Sequence, residues 1–320
     1  MCLRTSAFVT PPTSYTRNAR ELIHTCLVSL TGSDREVFQR AVQHIFETQF
    51  AQGRSLDEAL PSLFTPLNIY RPNYLSANIA AYLVALRMEI WAVLLYQRPL
   101  RLPIPSFKDC LKFSDHDGTD DYTWTRRVLV WCAHVLTLHF GSERDETSSN
   151  GYVSKTELWG ALKAFEYDWD TNTPSCFLPL HSRDKSPGEG RYFPERWQAN
   201  PCQVMALQHI EFGRIVLARY EASLQKMRLG GDEFASQASE ALFRNSTRII
   251  CGLTVCHRQR HEALTAAAVA VSMCGRYFHD AGERAAMMEI IDTLKNDYAW
   301  DVSQAVDALR IGEASSPPIR

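Results

Sequence analysis

Residues 73–97, NYLSANIAAYLVALRMEIWAVLLYQ, place the tightest limit on how this chain can fold. Leu75, Ile79, Tyr82, Leu83, Leu86, Ile90, Val93 and Leu94 recur at helical spacing along one side. Ala80, Val84, Met88, Trp91 and Leu95 make the opposite side apolar as well. A helix that is apolar all round must be enclosed, either by other helices or by lipid. Arg87 and Glu89 interrupt the stretch, and charges are costly at the centre of a bilayer. The segment is therefore predicted to be the middle helix of a bundle rather than a membrane span.

The same 3.6-residue period runs along most of the chain. Helices are predicted over 17–31 and 34–52, the second capped by Ser33 or Asp34 in TGSD. A proline-punctuated connection, SLDEALPSLFTPLNIYRP, comes next, and RPLRLPIPSF ends the long helix because proline lacks a donor and restricts its predecessor. Further helices are predicted over 121–140, from Ser154 or Thr156 onward, and over 199–228, 233–259, 261–279, 282–298 and 302–310. Residues 173–197 carry four prolines and a polar HSRDKSPGEG centre, which reads as a loop and the best candidate for a mobile segment. No alternating strand and no fixed-period repeat is evident. The expectation is an all-α multi-helix bundle or array of about ten helices. It comprises a flexible N-terminal segment at 1–16, a single helical domain at 17–310 and a disordered tail at 311–320.

Composition narrows the function class. A formal net charge of -2 over 320 residues gives no global basic surface for nucleic acid. Nine scattered cysteines, several within apolar runs, suit buried reduced thiols in the nucleus or cytoplasm better than a disulfide framework. The N-terminus lacks the sustained apolar core of a secretory signal.

ICGLTVCHRQRHEAL, residues 250–264, brings Cys251, Cys256, His257 and His261 within eleven positions. On a helix at about 100° per residue these side chains scatter around the cylinder and cannot close one tetrahedral zinc site. Inward-packed cysteines beside a solvated HRQRH surface are expected instead, and no metal or other cofactor is expected here. DHDGTDD misplaces glycine for an EF-hand and would put Arg126 at its twelfth position, so Asp120 or Asp121 is expected to cap the next helix. Glu166, Asp168 and Asp170 alternate on a helix and are expected to form a solvated end. Phosphate-cradling, nucleophile-elbow and zincin motifs are missing from the sequence.

The informative charges are those set among apolar neighbours: Arg87, Glu89, Arg98, Arg126, Arg214 and Arg276. Each must find a partner, since an unpaired buried charge is expensive. Glu89 with Arg98 or Arg126 would make a structural salt bridge. The alternative is a polar spot within an apolar pocket that holds a small ligand.

ALRMEIWAVLLYQRP (85–99), DDYTWTRRVLVWCAHVL (120–136), YFPERW with a long helix after it containing IVLARY (215–220), and RIICGLTV…MCGRYFHDAGERAAMMEIIDTLKNDYAWDVSQAVDAL (248–309) occur in order. Together they resemble the fungal-specific transcription factor domain, in particular the regulatory region of ARCA-like zinc-cluster proteins, over roughly residues 15–310. The resemblance implies a helical regulatory domain that usually follows a DNA-binding binuclear zinc cluster. No C-x2-C pair of that cluster is present in this sequence. The expectation is thus a transcription-factor-like regulatory or accessory protein of a secondary-metabolite gene cluster. Its partners would be other proteins or a small apolar ligand, without sequence-specific DNA binding of its own and without a membrane. The alternative is a cofactor-independent enzyme of secondary metabolism, cyclising, rearranging or dehydrating an apolar intermediate. Its candidate catalytic residues would be Glu89, Arg98, Arg126, His139, Tyr220 and Arg276.

Overall fold

The computed structural model describes residues 76–102, 104–105, 121–141, 154–229, 233–298 and 300–314. The helices predicted over 17–31 and 34–52, the acidic stretch before Asp121 and the end of the tail lie outside the described residues. The chain divides into two compact units, Met1–Val84 and Ala85–Arg320. The described residues are dominated by helix: α1 (Ser76–Tyr96), α2 (Asp121–Phe140), α3 (Lys155–Asn172), α4 (Pro201–Leu229), α5 (Glu233–Cys256), α6 (His261–Cys274), α7 (Ala281–Tyr298) and α8 (Ser303–Ala314). Apart from the first turns of α1, all of them belong to the second unit. No described helix is long and apolar enough to cross a membrane.

The all-round apolarity of α1 translates into burial on both sides. Leu86, Ile90 and Val93 are fully buried, and Trp91 on the other side is nearly so. The helix stops where Gln97 adopts a left-handed φ of 50° two residues before Pro99. A second central helix is α6, whose run from Ala263 to Val271 is buried at every position. Its small alanine and valine side chains let α5, α7 and α8 approach closely. Leu253 on α5, Val204 on α4 and Ala263 on α6 form one apolar cluster, with Leu207 and Ile249 packed against it.

The α2–α4 contact is set by one missing side chain. A Cβ at Gly213 would lie 2.2 Å from the ring of Trp131, so the indole occupies the space a side chain would need. Trp131 is fully buried, donates its Nε1–H to the Leu162 carbonyl on α3 at 3.0 Å and stacks on Phe165. One aromatic residue therefore ties together three helices.

Asn200 and Gln203 form a capping box at the start of α4. The Gln203 backbone N–H donates to the Asn200 Oδ1 at 3.1 Å, while Gln203 Oε1 accepts from the Ala199 and Asn200 amides. Pro201 then occupies the first helical position, where its missing donor costs nothing. The Asp121 carboxylate reaches across to this corner, accepting hydrogen bonds from the Asn200 and Gln203 side-chain amides. Its links to Cys176, Asn200 and Gln203 outweigh burial and hold it below the usual aspartate range.

Residues 173–197 depart from the predicted loop. His181–Arg183 (β1) pairs antiparallel with Glu195–Trp197 (β2), and Phe177 and Phe193 are buried. Three-residue strands cannot display an alternating period, so the sequence pattern carries no sign of this short ribbon. A Cβ at Gly252 on α5 would meet the Pro194 carbonyl oxygen at 1.9 Å, so backbone lies directly against helix there.

Three predicted helix ends also shift. α8 runs to Ala314, four residues into the tail expected to be disordered. α5 ends at Cys256, with residues 257–259 in a turn, and α6 ends at Cys274 before a single 3-10 turn, Gly275–Tyr277.

Candidate functional site

The helical period that buries α1 also buries the charge it carries. Arg87 is 6% exposed and lies over the Trp91 ring, one turn along, with its guanidinium carbon 5.2 Å from the ring centroid. Its Nη1 donates to the Met205 thioether on α4 at 3.7 Å, a weak bond to a soft acceptor. Among the described residues, no carboxylate lies within ion-pair distance of it, and its Nε–H has no hydrogen-bond partner. Such a cation is expensive to bury unless something else completes its coordination.

Its neighbours share this condition. Trp91 is 3% exposed, and its Nε1–H has no partner among the described residues. The Trp91 ring stacks on His209 of α4, with centroids 6.4 Å apart and planes inclined by 26°. His209 Nδ1 lies 2.7 Å from the Met205 carbonyl oxygen. A carbonyl can only accept, so Nδ1 carries the proton and Nε2 of the neutral ring is a bare lone pair, also unpaired. Burial, assisted by the charge of Arg87, pulls the His209 pKa down to about 3, while its bond to Met205 works the other way. The ring is therefore neutral at physiological pH.

At the N-terminus of α6, Glu262 lies within range of the Arg87 charge. Glu262 is held down at a pKa of about 2: burial pushes it up, but the His261 hydrogen bond and the charges of Arg87 and His261 outweigh that. His261 Nδ1 is 3.2 Å from the Glu262 carboxylate, and its buried Nε2 is unpaired. The cluster thus presents two donors, Arg87 Nε–H and Trp91 Nε1–H, alongside the bare His209 Nε2. Buried polar atoms are nearly always satisfied in folded proteins, so these call for a further group, an ordered water or a ligand, to pair with them. In sequence, Arg87/Trp91 and Met205/His209 are each i,i+4 pairs, but 118 residues separate Arg87 from Met205. Nothing in a single sequence pairs those two helices.

The residues singled out from sequence take other roles. Glu89 binds Arg98 bidentately, at 2.6 and 2.7 Å, and accepts the Arg101 amide at 2.8 Å. It thus fastens the chain leaving α1, with Arg98 and not Arg126 as its partner, and the bridge is local rather than interhelical. Arg126 is half-buried on α2. His139 meets Tyr220 edge to face, with centroids 6.4 Å apart, and burial together with the charge of Arg219 lowers its pKa. Arg276 corrects the expectation of a charge set within an apolar helix: it is exposed in the 3-10 turn after α6.

The acidic end of α3 is also corrected. Arg214 on α4 gathers Glu166 at 3.5 Å, Glu211 at 2.7 Å and Asp170, and Lys163 binds Glu166 at 2.6 Å. Asp170 is exposed, as expected of a solvated end, but it and Glu166, its i,i+4 neighbour, are both held by one guanidinium. Burial raises the Glu211 pKa, which the charge of Arg214 counteracts.

In ICGLTVCHRQRHEAL, Cys251 is fully buried as expected, but the HRQRH surface is only partly solvated. His257 is buried, its Nε2 accepting the Gln198 backbone N–H at 3.2 Å, and His261 is buried at the start of α6. Helix α5 ends between the cysteines and the second histidine, and no metal-competent cluster of three or more His, Cys, Asp or Glu occurs among the described residues.

No family model matches the chain, and no curated protein or solved structure matches it either.

Proposed function

We propose that this chain is a ligand-responsive regulatory helical domain of the fungal transcription-factor type, sensing a small molecule at Arg87, Trp91 and His209. One observation carries the reading: a buried arginine over an indole that stacks on a buried imidazole, each with a polar atom unpaired among the described residues. Such a group costs stability in the free protein, and that cost is recovered when a ligand supplies the missing hydrogen bonds. Binding is favoured over proton transfer because an imidazole with a pKa of about 3 is a poor base near neutrality. The sequence blocks that resemble the regulatory domain span the same helices.

The test is a fusion of the chain to an unrelated DNA-binding domain upstream of a reporter gene. Reporter output should differ severalfold from that of the DNA-binding domain alone, and Arg87→Met should abolish the difference at equal protein level. Output equal to the bare DNA-binding domain contradicts the reading. A gel shift with the unfused chain should show no tight sequence-specific complex at physiological salt, where a small basic patch makes few phosphate contacts.

A further inference from the structure

The unpaired atoms specify more than the presence of a ligand: they select its chemical class, provided that the cluster is a ligand site as proposed. Arg87 Nε–H and Trp91 Nε1–H are donors without acceptors, and the Arg87 charge is met only at longer range, by Glu262, with no carboxylate within ion-pair distance among the described residues. An anionic oxygen satisfies both the donors and the charge, and a carboxylate offers two such oxygens to a guanidinium edge. His209 Nε2 is an acceptor fixed in that state by the Met205 carbonyl on its other nitrogen, so it requires an O–H or N–H from the ligand. The Trp91–His209 pair and the polarizable Met205 thioether surround these polar atoms with aromatic and soft apolar groups, a setting that suits an aromatic skeleton.

We propose that the site binds a hydroxyaryl carboxylate: the carboxylate accepts from Arg87 and Trp91, and the hydroxyl donates to His209 Nε2. Each part of the molecule answers one unpaired group, and a ligand lacking either part leaves that group unpaired. A buried acceptor left without its donor lowers affinity by roughly tenfold or more.

The experiment is isothermal titration of the full chain with 3-hydroxybenzoate and 4-hydroxybenzoate, with benzoate and phenol as probes lacking one group each. At least one hydroxybenzoate should bind ~10-fold more tightly than both benzoate and phenol. Trp91→Phe keeps an aromatic ring and removes the N–H, so it should weaken that binding ~10-fold without lowering the melting temperature. His209→Phe should erase the advantage of hydroxybenzoate over benzoate while leaving benzoate binding in place. Equal affinity for all four probes, or a hydroxyl advantage that survives His209→Phe, overturns the proposal. So does a high-resolution structure in which an ordered water alone bridges these groups and no probe displaces it. Selective hydroxybenzoate binding with a silent reporter fusion would retain this inference and remove the regulatory role. A responsive reporter with no probe binding would do the reverse.

Discussion

Replacing Arg87 by Met should make the protein more stable, contrary to the usual outcome of cutting into a core. The side chain is 6% exposed, its Nη1 has only a 3.7 Å bond to a thioether, and its Nε–H is unpaired among the described residues. Met keeps an unbranched apolar stem in the same space. It forfeits the stacking of the cation on Trp91, about 1–2 kcal/mol when desolvated, and some longer-range attraction to Glu262. It removes an unpaired buried donor, about 1–3 kcal/mol, and a desolvated charge whose burial costs several kcal/mol. The net expectation is a gain of ~1–3 kcal/mol, comparable to gains when apolar groups replace buried ionic ones. At about 2–4 °C per kcal/mol for a domain of this size, the melting temperature should rise by ~2–12 °C. Urea titrations monitored by far-UV circular dichroism measure this, with the slope unchanged if the same surface is exposed. A loss of more than ~1 kcal/mol would overturn the expectation, because it would show that Arg87 is satisfied in the free protein.

Three further outcomes come from packing and titration. Gly213→Ala drives a methyl group into the Trp131 ring and should cost ~2–3 kcal/mol despite a helix-propensity gain of about 1 kcal/mol; Gly160→Ala on α3, which meets nothing within 4 Å, should be neutral or stabilising in the same melts. His134 and His209 have folded pKa values lowered by burial to about 4 and about 3, beneath their ordinary 6.5, so the folded state binds fewer protons. Their stabilisation is complete above pH 6.5 and lost as pH falls towards those values, roughly 2 kcal/mol for each at pH 5; a urea midpoint that stays flat from pH 7 to pH 5 would contradict their neutral burial. Asn200→Ala removes the cap of α4 and one donor to Asp121, and should lower stability by ~1–3 kcal/mol in thermal melts.

The helical architecture was legible because α1 and α6 are apolar on every side, and only a bundle interior accommodates such segments. The β1–β2 ribbon was not: its strands are three residues long and tied down by Phe177, Phe193 and the close approach at Gly252, which are tertiary facts. That Glu89 needs a partner was legible too, and Arg98 was within reach because nine residues separate them. Arg214 found its carboxylates on α3, some forty residues away, through the same helix packing that the Gly213–Trp131 contact fixes. Arg87 was visible as an anomaly, yet its setting was not, because Met205, His209 and Glu262 arrive from two other helices. Arg276 misled because its surrounding letters continue the helical period, whereas the backbone has already tightened into a 3-10 turn.

The ligand site stands or falls on the Trp91 indole N–H being buried without a hydrogen-bond partner in the free protein. The ¹H–¹⁵N spectrum of the tryptophan indoles, with Trp91 assigned by its loss in Trp91→Phe, measures this directly. An upfield, slowly exchanging Trp91 resonance that moves downfield when a hydroxybenzoate is added is the expected result. A Trp91 resonance already at a hydrogen-bonded position, unmoved by every probe, would contradict it.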